Sequence, residues 1–262
     1  MRPKKLLGQN FLKDKTMLQK IIEAADLKPN DSVIEIGPGT GILTEELIKH
    51  AGKVIAIEKD DNLAEKIDSR FRGNDKVKII NKDILKINLP ELIEQNNFEN
   101  YKVVANIPYY ITSPIIRLFL ETRYPPRVMF LTLQKEVAER ICGRPGQMSV
   151  LAVSVQYYAQ PELLFYINKK AFWPIPEVDS AAVRIEARRK KPEANQEETK
   201  KFFRVVKAGF SAKRKTLLNN LSGSLCLDRK MTEKKLKKIP LSGTQRAQEL
   251  SVEDWKELAR IF

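Results

Sequence analysis

The sequence contains one histidine, His50, and two cysteines, Cys142 and Cys226, among 262 residues. A single histidine argues against a His-rich metal centre and against a Ser-His-Asp hydrolase, so we expect no metal. The cysteines have no ligand or redox spacing, a usage typical of a reducing, cytoplasmic location. No run of about 18 apolar residues exists, and Leu6–Asn10 is too polar for the core of a signal peptide. We therefore expect a cytoplasmic protein with no membrane partner.

Acidic residues are scarce relative to basic ones, and the imbalance is concentrated at one end of the chain. The net charge is +14, and residues 188–262 hold 20 Lys/Arg against 9 Asp/Glu, which leaves only +3 for the rest. A last quarter this basic predicts a polyanion-binding surface, with nucleic acid first and an acidic membrane second. Solvated, lysine-rich helix faces are the alternative. The charged segment 188–196, broken by Pro192, is the best linker candidate, which predicts domains 1–190 and 191–262.

Apolar runs of strand length alternate with amphipathic helical stretches between residue 32 and about residue 135. This alternation predicts an α/β fold with a mostly parallel sheet covered on both faces. The predicted strands are Ser32–Gly37, Lys53–Glu58, Val77–Ile80, Tyr101–Ala105 and Arg127–Leu133. The β-rich stretches 149–168 and 178–187 are predicted to close the sheet with an antiparallel member. Beyond residue 190 we predict helices only: Glu197–Phe210, Met231–Ile239 and Val252–Phe262, the last two capped by Thr232 or Ser251.

The segment Gly37–Gly41 is a glycine-rich turn between a predicted strand and a helix. Gly37 and Gly39 would let the backbone approach a ligand closely, and we predict that both bind a cofactor. The turn departs from the dinucleotide fingerprint, whose third glycine falls where this chain has Ile42, and it lacks the lysine of a P-loop. A cofactor with a nucleoside but no phosphate therefore fits better than a dinucleotide.

Two acids follow the next two predicted strands. Glu58 is placed to accept both hydroxyl protons of a ribose, and Asp83 to accept from an adenine amine. Acids are common at strand ends, so each alone could be a surface charge. Their order after a glycine turn favours a nucleoside site.

The strongest chemical signal is Asn106-Ile107-Pro108-Tyr109 at the end of a predicted strand. The Asn106 side-chain oxygen and the Ile107 carbonyl could accept the two hydrogens of an exocyclic amine, which would localise its lone pair. Tyr109 offers a face for stacking a base. An ordinary strand-end turn is the alternative when the tetrad is read in isolation.

Five ordered motifs resemble one known family from near residue 4 to the C-terminus. They are Leu7–Leu12, Glu35–Gly41, Asn106–Tyr109, Phe172–Ser180 and Phe210–Leu217. The chain resembles the KsgA/Dim-type small-subunit rRNA adenine N6,N6-dimethyltransferases, which are class I S-adenosylmethionine-dependent methyltransferases with a Rossmann-like sheet.

The resemblance implies roles for individual residues. Phe172 is expected to pack on the target adenine opposite Tyr109. Residues expected to line the S-adenosylmethionine site are Asn10, Leu12, Gly37, Glu58, Asp83 and Asn106. The basic cluster Lys213, Arg214 and Lys215 is the expected rRNA contact of a helical C-terminal domain.

The resemblance also implies a reaction and a partner. The expected reaction dimethylates two adjacent adenosines in the 3′-terminal hairpin loop of 16S rRNA, within an immature 30S-type particle, and we expect a monomer. Ile107 stands where the family usually has leucine, and Tyr110 where asparagine often follows. Isoleucine is frequent in the macrolide-resistance enzymes that methylate 23S rRNA, so that activity stays an alternative. A ribosome-assembly or RNA-binding factor with incidental methylation is a third possibility.

Overall fold

The computed structural model describes residues 3–4, 8–98, 100–188 and 196–262, and only the backbone of Tyr109 and Gln196. The chain divides into two compact units. The first comprises residues 1–138 and 160–187, and the second comprises 139–159 and 188–262. Most of the predicted linker, 188–196, lies outside the described residues.

Strands are concentrated in the first unit, where a seven-stranded sheet forms the core. The described strands are β1 (Phe11–Leu12), β2 (Ser32–Ile36), β3 (Lys53–Glu58), β4 (Val77–Asn81), β5 (Tyr101–Asn106), β6 (Val128–Gln134), β7 (Ala159–Ile167), β8 (Phe172–Trp173) and β9 (Ser180–Ala187). β1 and β8 form a separate antiparallel pair.

Helices cover the sheet in the first unit and build the second. They are α1 (Lys15–Ala25), α2 (Ile42–His50), α3 (Asp61–Phe71), α4 (Leu89–Asn96), α5 (Thr112–Glu121), α6 (Lys135–Ile141), α7 (Val150–Tyr158), α8 (Gln196–Gly209), α9 (Leu217–Ser224), α10 (Arg229–Leu236) and α11 (Val252–Ile261). None of the described helices is long and apolar enough to cross a lipid bilayer.

The order of strands in the large sheet is β4-β3-β2-β5-β6-β9-β7. The five strands from β4 to β6 pair in parallel, and β9 pairs antiparallel with β6. Chain order reverses between β2 and β5, and such a switch point opens a crevice at the carboxyl ends of the strands. The predicted α/β sheet with one antiparallel member is therefore confirmed.

The five predicted strands between residues 32 and 133 are confirmed to within one residue at either end. The side chains of β2, β3, β5 and β6 are mostly buried, and Val33, Ile34, Val103 and Val104 have no exposed surface, whereas the edge strand β4 is only partly buried. A parallel strand covered on both faces reads as a continuous apolar run.

The prediction for 149–158 was wrong, because this stretch is helix α7 and the strand β7 begins only at Ala159. The run Val150–Tyr158 is rich in β-branched and aromatic residues, which favour strands locally. Two features override that preference. Ser149 caps the helix by accepting from the Ala152 amide, and four residues of the helix are buried: Ala152, Val153, Val155 and Tyr157. Tertiary burial has outweighed local propensity.

The second unit has its own hydrophobic core. α7 contributes Val153 and Tyr157 to a cluster with Val205, Val206 and Trp255. Tyr157 stacks on Phe202 with 4.2 Å between ring centroids. This packing explains why residues 139–159 belong to the second unit, whereas the predicted division at residue 190 assigned them to the first.

The three helices predicted beyond residue 190 are present, and the structure adds α9, which the sequence did not predict. Ser251 caps α11 in a capping box with Asp254, as predicted. Thr232 was wrong as a cap: it lies inside α10, whose cap is Asp228, and its hydroxyl donates to the Asp228 carbonyl. No strand lies beyond Ala187 in the described part of the chain.

Candidate active site

A cleft opens at the carboxyl ends of β2, β3 and β5, where the strand order reverses. It encloses about 1120 Å³ including its open mouth. The residues that line it include all seven predicted cofactor contacts: Asn10, Leu12, Gly37, Gly39, Glu58, Asp83 and Asn106. The structure therefore brings together residues that are distant in the chain, while their role in binding a cofactor stays a prediction.

The glycine turn and Glu58 form one hydrogen-bonded unit at the floor of the cleft. The Gly39 amide donates to Glu58 Oε2 at 3.1 Å, and the Asp60 amide donates to Oε1 at 2.9 Å. Burial raises the pKa of Glu58, and these backbone donors offset only part of that rise. Each carboxylate oxygen still has a second lone pair, so Glu58 can accept two further hydrogen bonds from a ligand.

Position 39 requires glycine for two reasons: its φ is positive, and a side chain there would collide with Phe11. Its φ is +60°, and a Cβ at this position would lie 2.8 Å from Cδ1 of the Phe11 ring. Any larger residue would displace Phe11, which itself lines the cleft. The turn and the N-terminal segment are thus packed directly against one another.

Asp83 lies on the rim of the same cleft with its carboxylate already oriented. Its Oδ1 accepts from the Leu85 amide at 3.0 Å, and Oδ2 pairs with Lys59 Nζ at 2.9 Å. Burial acts to raise the pKa of Asp83, but Lys59 and the Leu85 amide hold it below its usual value. Asp83 therefore presents an ionised, fixed acceptor to the cleft, and its contact with an adenine amine stays a prediction.

The N-terminal segment orients the side chain of Asn106. Asn106 Nδ2 donates to the Asn10 carbonyl at 2.9 Å, and Asn10 Nδ2 donates to the Gly8 carbonyl at 3.2 Å. The first of these bonds orients the Asn106 amide, whose acceptor atom is Oδ1. This is the atom that the sequence analysis assigned to an incoming amine hydrogen.

The same segment is fastened to the end of β3 by Asp60, a residue that the sequence analysis missed. Lys4 Nζ lies 2.9 Å from Asp60 Oδ1, and Gln9 Nε2 donates to Asp60 Oδ2 at 3.1 Å. Burial acts to raise the pKa of Asp60, yet Lys4 and Gln9 hold it below its ordinary value. Only the fold reveals this contact, because Lys4 and Asp60 are far apart in the chain.

Glu35 is a buried carboxyl group directly before the glycine turn. It is 1% exposed, and burial raises its pKa to about 8, with the charge of Glu58 acting in the same direction. The Thr44 hydroxyl lies near enough to offset part of this rise. Neither Glu35 oxygen, however, reaches hydrogen-bond geometry with any group in the described part of the chain. Glu35 is therefore largely protonated at neutral pH.

The structure does not bring Phe172 to the cleft. Phe172 has no exposed surface and packs in the core cluster that includes Leu47, Val104 and Ile167. In this structure the ring of Phe172 faces the core, and its expected contact with a target adenine stays a prediction. The side chain of Tyr109, its expected counterpart, lies outside the described residues, and its backbone is in a 3₁₀ turn, Tyr109–Ile111.

Lys213, Arg214 and Lys215 lie together on the surface of the second unit, in the loop between α8 and α9. All three are exposed. The buried Asn220 shapes the loop from below, because its Nδ2 donates to the carbonyls of Gly209 at 2.6 Å and Ala212 at 3.0 Å. The cluster is thus a set of solvated cations on an ordered backbone, which suits contact with phosphates.

Comparison with known proteins points to one family. A family model described as ribosomal RNA adenine dimethylase matches residues 1–262. A ribosomal RNA small subunit methyltransferase A from Dehalococcoides mccartyi is 43% identical over 98% of this chain and 88% of its own length. A protein of the same name from Bacillus cytotoxicus is 40% identical over 99% of this chain and 91% of its own.

Solved structures agree with this assignment. A dimethyladenosine transferase from Plasmodium falciparum superposes with a TM-score of 0.77 at 27% identity, covering 95% of each chain. The 23S rRNA methyltransferase ErmE superposes with a TM-score of 0.75 at 27% identity, covering 96% of this chain and 99% of that one. The predicted class I methyltransferase fold and enzyme class are confirmed, and the chain belongs to the ribosomal RNA adenine dimethylase family.

Proposed function

We propose that this protein uses S-adenosylmethionine to dimethylate N6 of two adjacent adenosines in the 3′-terminal hairpin loop of small-subunit rRNA. The observation that carries the choice of subunit is 43% identity, over nearly the whole chain, to proteins named small subunit methyltransferase A. The 23S rRNA methyltransferase ErmE is only 27% identical. The working setting would be an immature 30S-type particle in the cytoplasm, with the enzyme acting as a monomer.

The cleft fits S-adenosylmethionine in its chemistry. Glu58 has spare acceptor capacity for two ribose hydroxyls, and Asp83 is an ionised acceptor on the rim. A Cβ at Gly37 would meet no atom closer than Pro108 Cδ at 4.0 Å, so the backbone there is open to a ligand. Two carboxylates also suit a ligand that carries a positive sulfonium and an ammonium group. When bound, the cofactor supplies an electrophilic methyl group on that sulfonium.

Asn106 prepares the nucleophile. An adenine amine is a poor nucleophile because its lone pair is delocalised into the ring. Asn106 Oδ1, fixed by the bond from Nδ2 to the Asn10 carbonyl, would accept one amine hydrogen, and the Ile107 carbonyl would accept the other. The lone pair would then be directed at the methyl group that the bound cofactor supplies, and the amine would lose one proton to solvent as it is methylated.

The basic second unit would hold the rRNA. Its exposed cluster at 213–215 would contact phosphates and set register without reading sequence. The target adenosine has to leave its stack, which costs a few kcal/mol and less in a loop than in a duplex. A hairpin loop is therefore the substrate that the chemistry favours.

Methylation of isolated precursor particles tests the proposal. The protein would be incubated with labelled S-adenosylmethionine and, separately, with immature small and large ribosomal subunits, and the modified bases mapped. We expect two adjacent N6-dimethyladenosines in small-subunit rRNA. Label confined to a single 23S adenosine would favour the ErmE-like alternative, and particle binding without label would favour an assembly factor.

A further inference from the structure

Trp173 is a large apolar side chain that the first unit leaves half exposed, at 47% of its surface. Its neighbour Phe172 is fully buried, so the two residues of β8 face opposite ways. Nearby in the chain, Ile175 and Val178 are also exposed, at 57% and 40%. Apolar side chains that are exposed together mark a contact surface more often than single scattered ones do.

An aromatic contact joins this surface to the active-site cleft. Phe11 of β1 is the register partner of Trp173, and the two rings stack at 6.5 Å between centroids with 26° between their planes. Phe11 lines the cleft and covers Gly39 in the glycine turn. Trp173 therefore extends the wall of the cleft outward onto the surface.

Exposed lysines lie in the segments that adjoin β1 and β8. Lys13 and Lys170 are exposed, and the Lys13 amide donates to the Ala171 carbonyl at 2.9 Å, directly before β8. Lys169 is exposed on the same turn. Proteins that bind single-stranded nucleic acid combine aromatic rings, on which the bases stack, with cations that contact the phosphates. Both kinds of side chain are found here, next to the cleft.

We propose that Trp173 stacks on the base next to the target adenosine and so holds the RNA strand at the mouth of the cleft. The inference rests on the proposed function and deepens it. When the target base leaves its stack, its neighbour loses a stacking partner, and the indole ring replaces it. The stack forms before and during methyl transfer alike, so it contributes to binding rather than to turnover.

Intrinsic fluorescence gives a direct test, because the chain has two tryptophans and the other, Trp255, is fully buried in the second unit. A hairpin oligoribonucleotide with two adjacent loop adenosines would be titrated in the presence of S-adenosylhomocysteine. We expect quenching of the exposed tryptophan, no quenching in Trp173→Phe, and no quenching when the nucleotides flanking the adenosines are abasic. Quenching that survives abasic replacement would overturn the proposal.

Steady-state kinetics of the Trp173 variants provide an independent test. Trp173→Ala should raise KM for the RNA at least about fivefold with kcat unchanged, and Trp173→Phe should restore most of the affinity. The matched control is Tyr166→Ala, which removes another exposed aromatic of the same unit and should leave KM unaltered. Unchanged KM in Trp173→Ala overturns the proposal, and so does an increase seen only with whole particles, which would indicate a protein contact.

The proposed function and the proposed role of Trp173 can be tested separately. If the parent protein transfers no methyl group to small-subunit rRNA, the proposed function fails, whatever Trp173 does. If the parent is active but Trp173→Ala matches it in RNA affinity and fluorescence shows no stacking, only the role of Trp173 fails. Affinity for S-adenosylmethionine in the absence of RNA confirms that each variant is folded.

Discussion

Replacing Glu58 with alanine is expected to weaken binding of S-adenosylmethionine by about 10- to 100-fold. The carboxylate is only 6% exposed, and each of its oxygens already accepts one backbone amide. A ribose would add hydrogen bonds to a charged acceptor, which contribute about 1.5–3 kcal/mol. Since about 1.4 kcal/mol is a tenfold change in affinity, that range gives the expected loss.

Isothermal titration calorimetry without RNA measures this loss directly. Glu65→Ala, which removes an exposed acid on the neighbouring helix α3, is the matched control for long-range charge. Glu58→Gln should also bind weakly, because its amide would have to present a donor to the Gly39 or Asp60 amide. Affinity equal to that of the parent in Glu58→Ala would refute the placement of the ribose.

The pH dependence of the same measurement follows from the raised pKa of Glu58. A protonated carboxyl has lost one acceptor site, so affinity should fall as the pH decreases through that raised pKa. In Glu58→Ala this dependence should be much flatter. An equally steep fall in both proteins would assign the pH effect to another group.

Three further changes test other parts of the molecule. Asn106→Ala should lower turnover by about 10²–10³ while rRNA binding stays nearly intact, because one preorganised acceptor is lost; turnover within a few-fold of the parent would contradict its role. Neutralising all three cations at 213–215 should weaken rRNA binding and reduce its log–log salt slope by about 2–3, with cofactor affinity unchanged. Glu35→Gln should stabilise the protein by an amount that grows from pH 5 to pH 8, as measured by denaturant unfolding. In this range the unfolded parent loses the Glu35 proton, whereas the folded parent keeps it because its pKa is raised to about 8, so the parent loses stability as the pH rises. The difference between the two proteins is bounded by about 5 kcal/mol, and a pH-independent difference would contradict the burial of a neutral Glu35.

Control variants distinguish the effect of the basic cluster and of Glu35 from the effect of a change in total charge. For the basic cluster, neutralising the exposed Lys207, Lys230 and Lys234 of the same unit removes equal charge elsewhere. A similar drop in slope in that control would mean that total charge, rather than the cluster, sets the affinity. For Glu35, the exposed Glu65→Gln should leave the pH profile of stability unchanged.

The central strands were predictable because their signal is local. In β2 and β5, short and mostly apolar runs between turns are typical of a strand covered on both faces. α7 was not predictable in this way, since its apolar and β-branched residues suit a strand or a buried helix equally. Its packing against Phe202 in the second unit decided the matter.

The residues that line the cleft were predictable where a polar side chain ends or directly follows a strand. Glu58, Asp83 and Asn106 each end or follow a parallel strand, and parallel strands converge at one edge of the sheet. Asp60 could not be found, because its partners Lys4 and Gln9 come from a distant segment. No local pattern encodes such a pairing.

The sequence by itself determined the alternation of helices and strands, the glycine turn, the acceptors at the strand ends and the basic last quarter, because each is a property of neighbouring residues. The tertiary structure alone decided which of two adjacent aromatics is buried. Phe172 and Trp173 alternate across a strand, and only packing against the core selects the face that turns inward. It also decided that the Asn10 carbonyl orients Asn106, since that contact exists only where the N-terminal segment packs at the carboxyl end of β5.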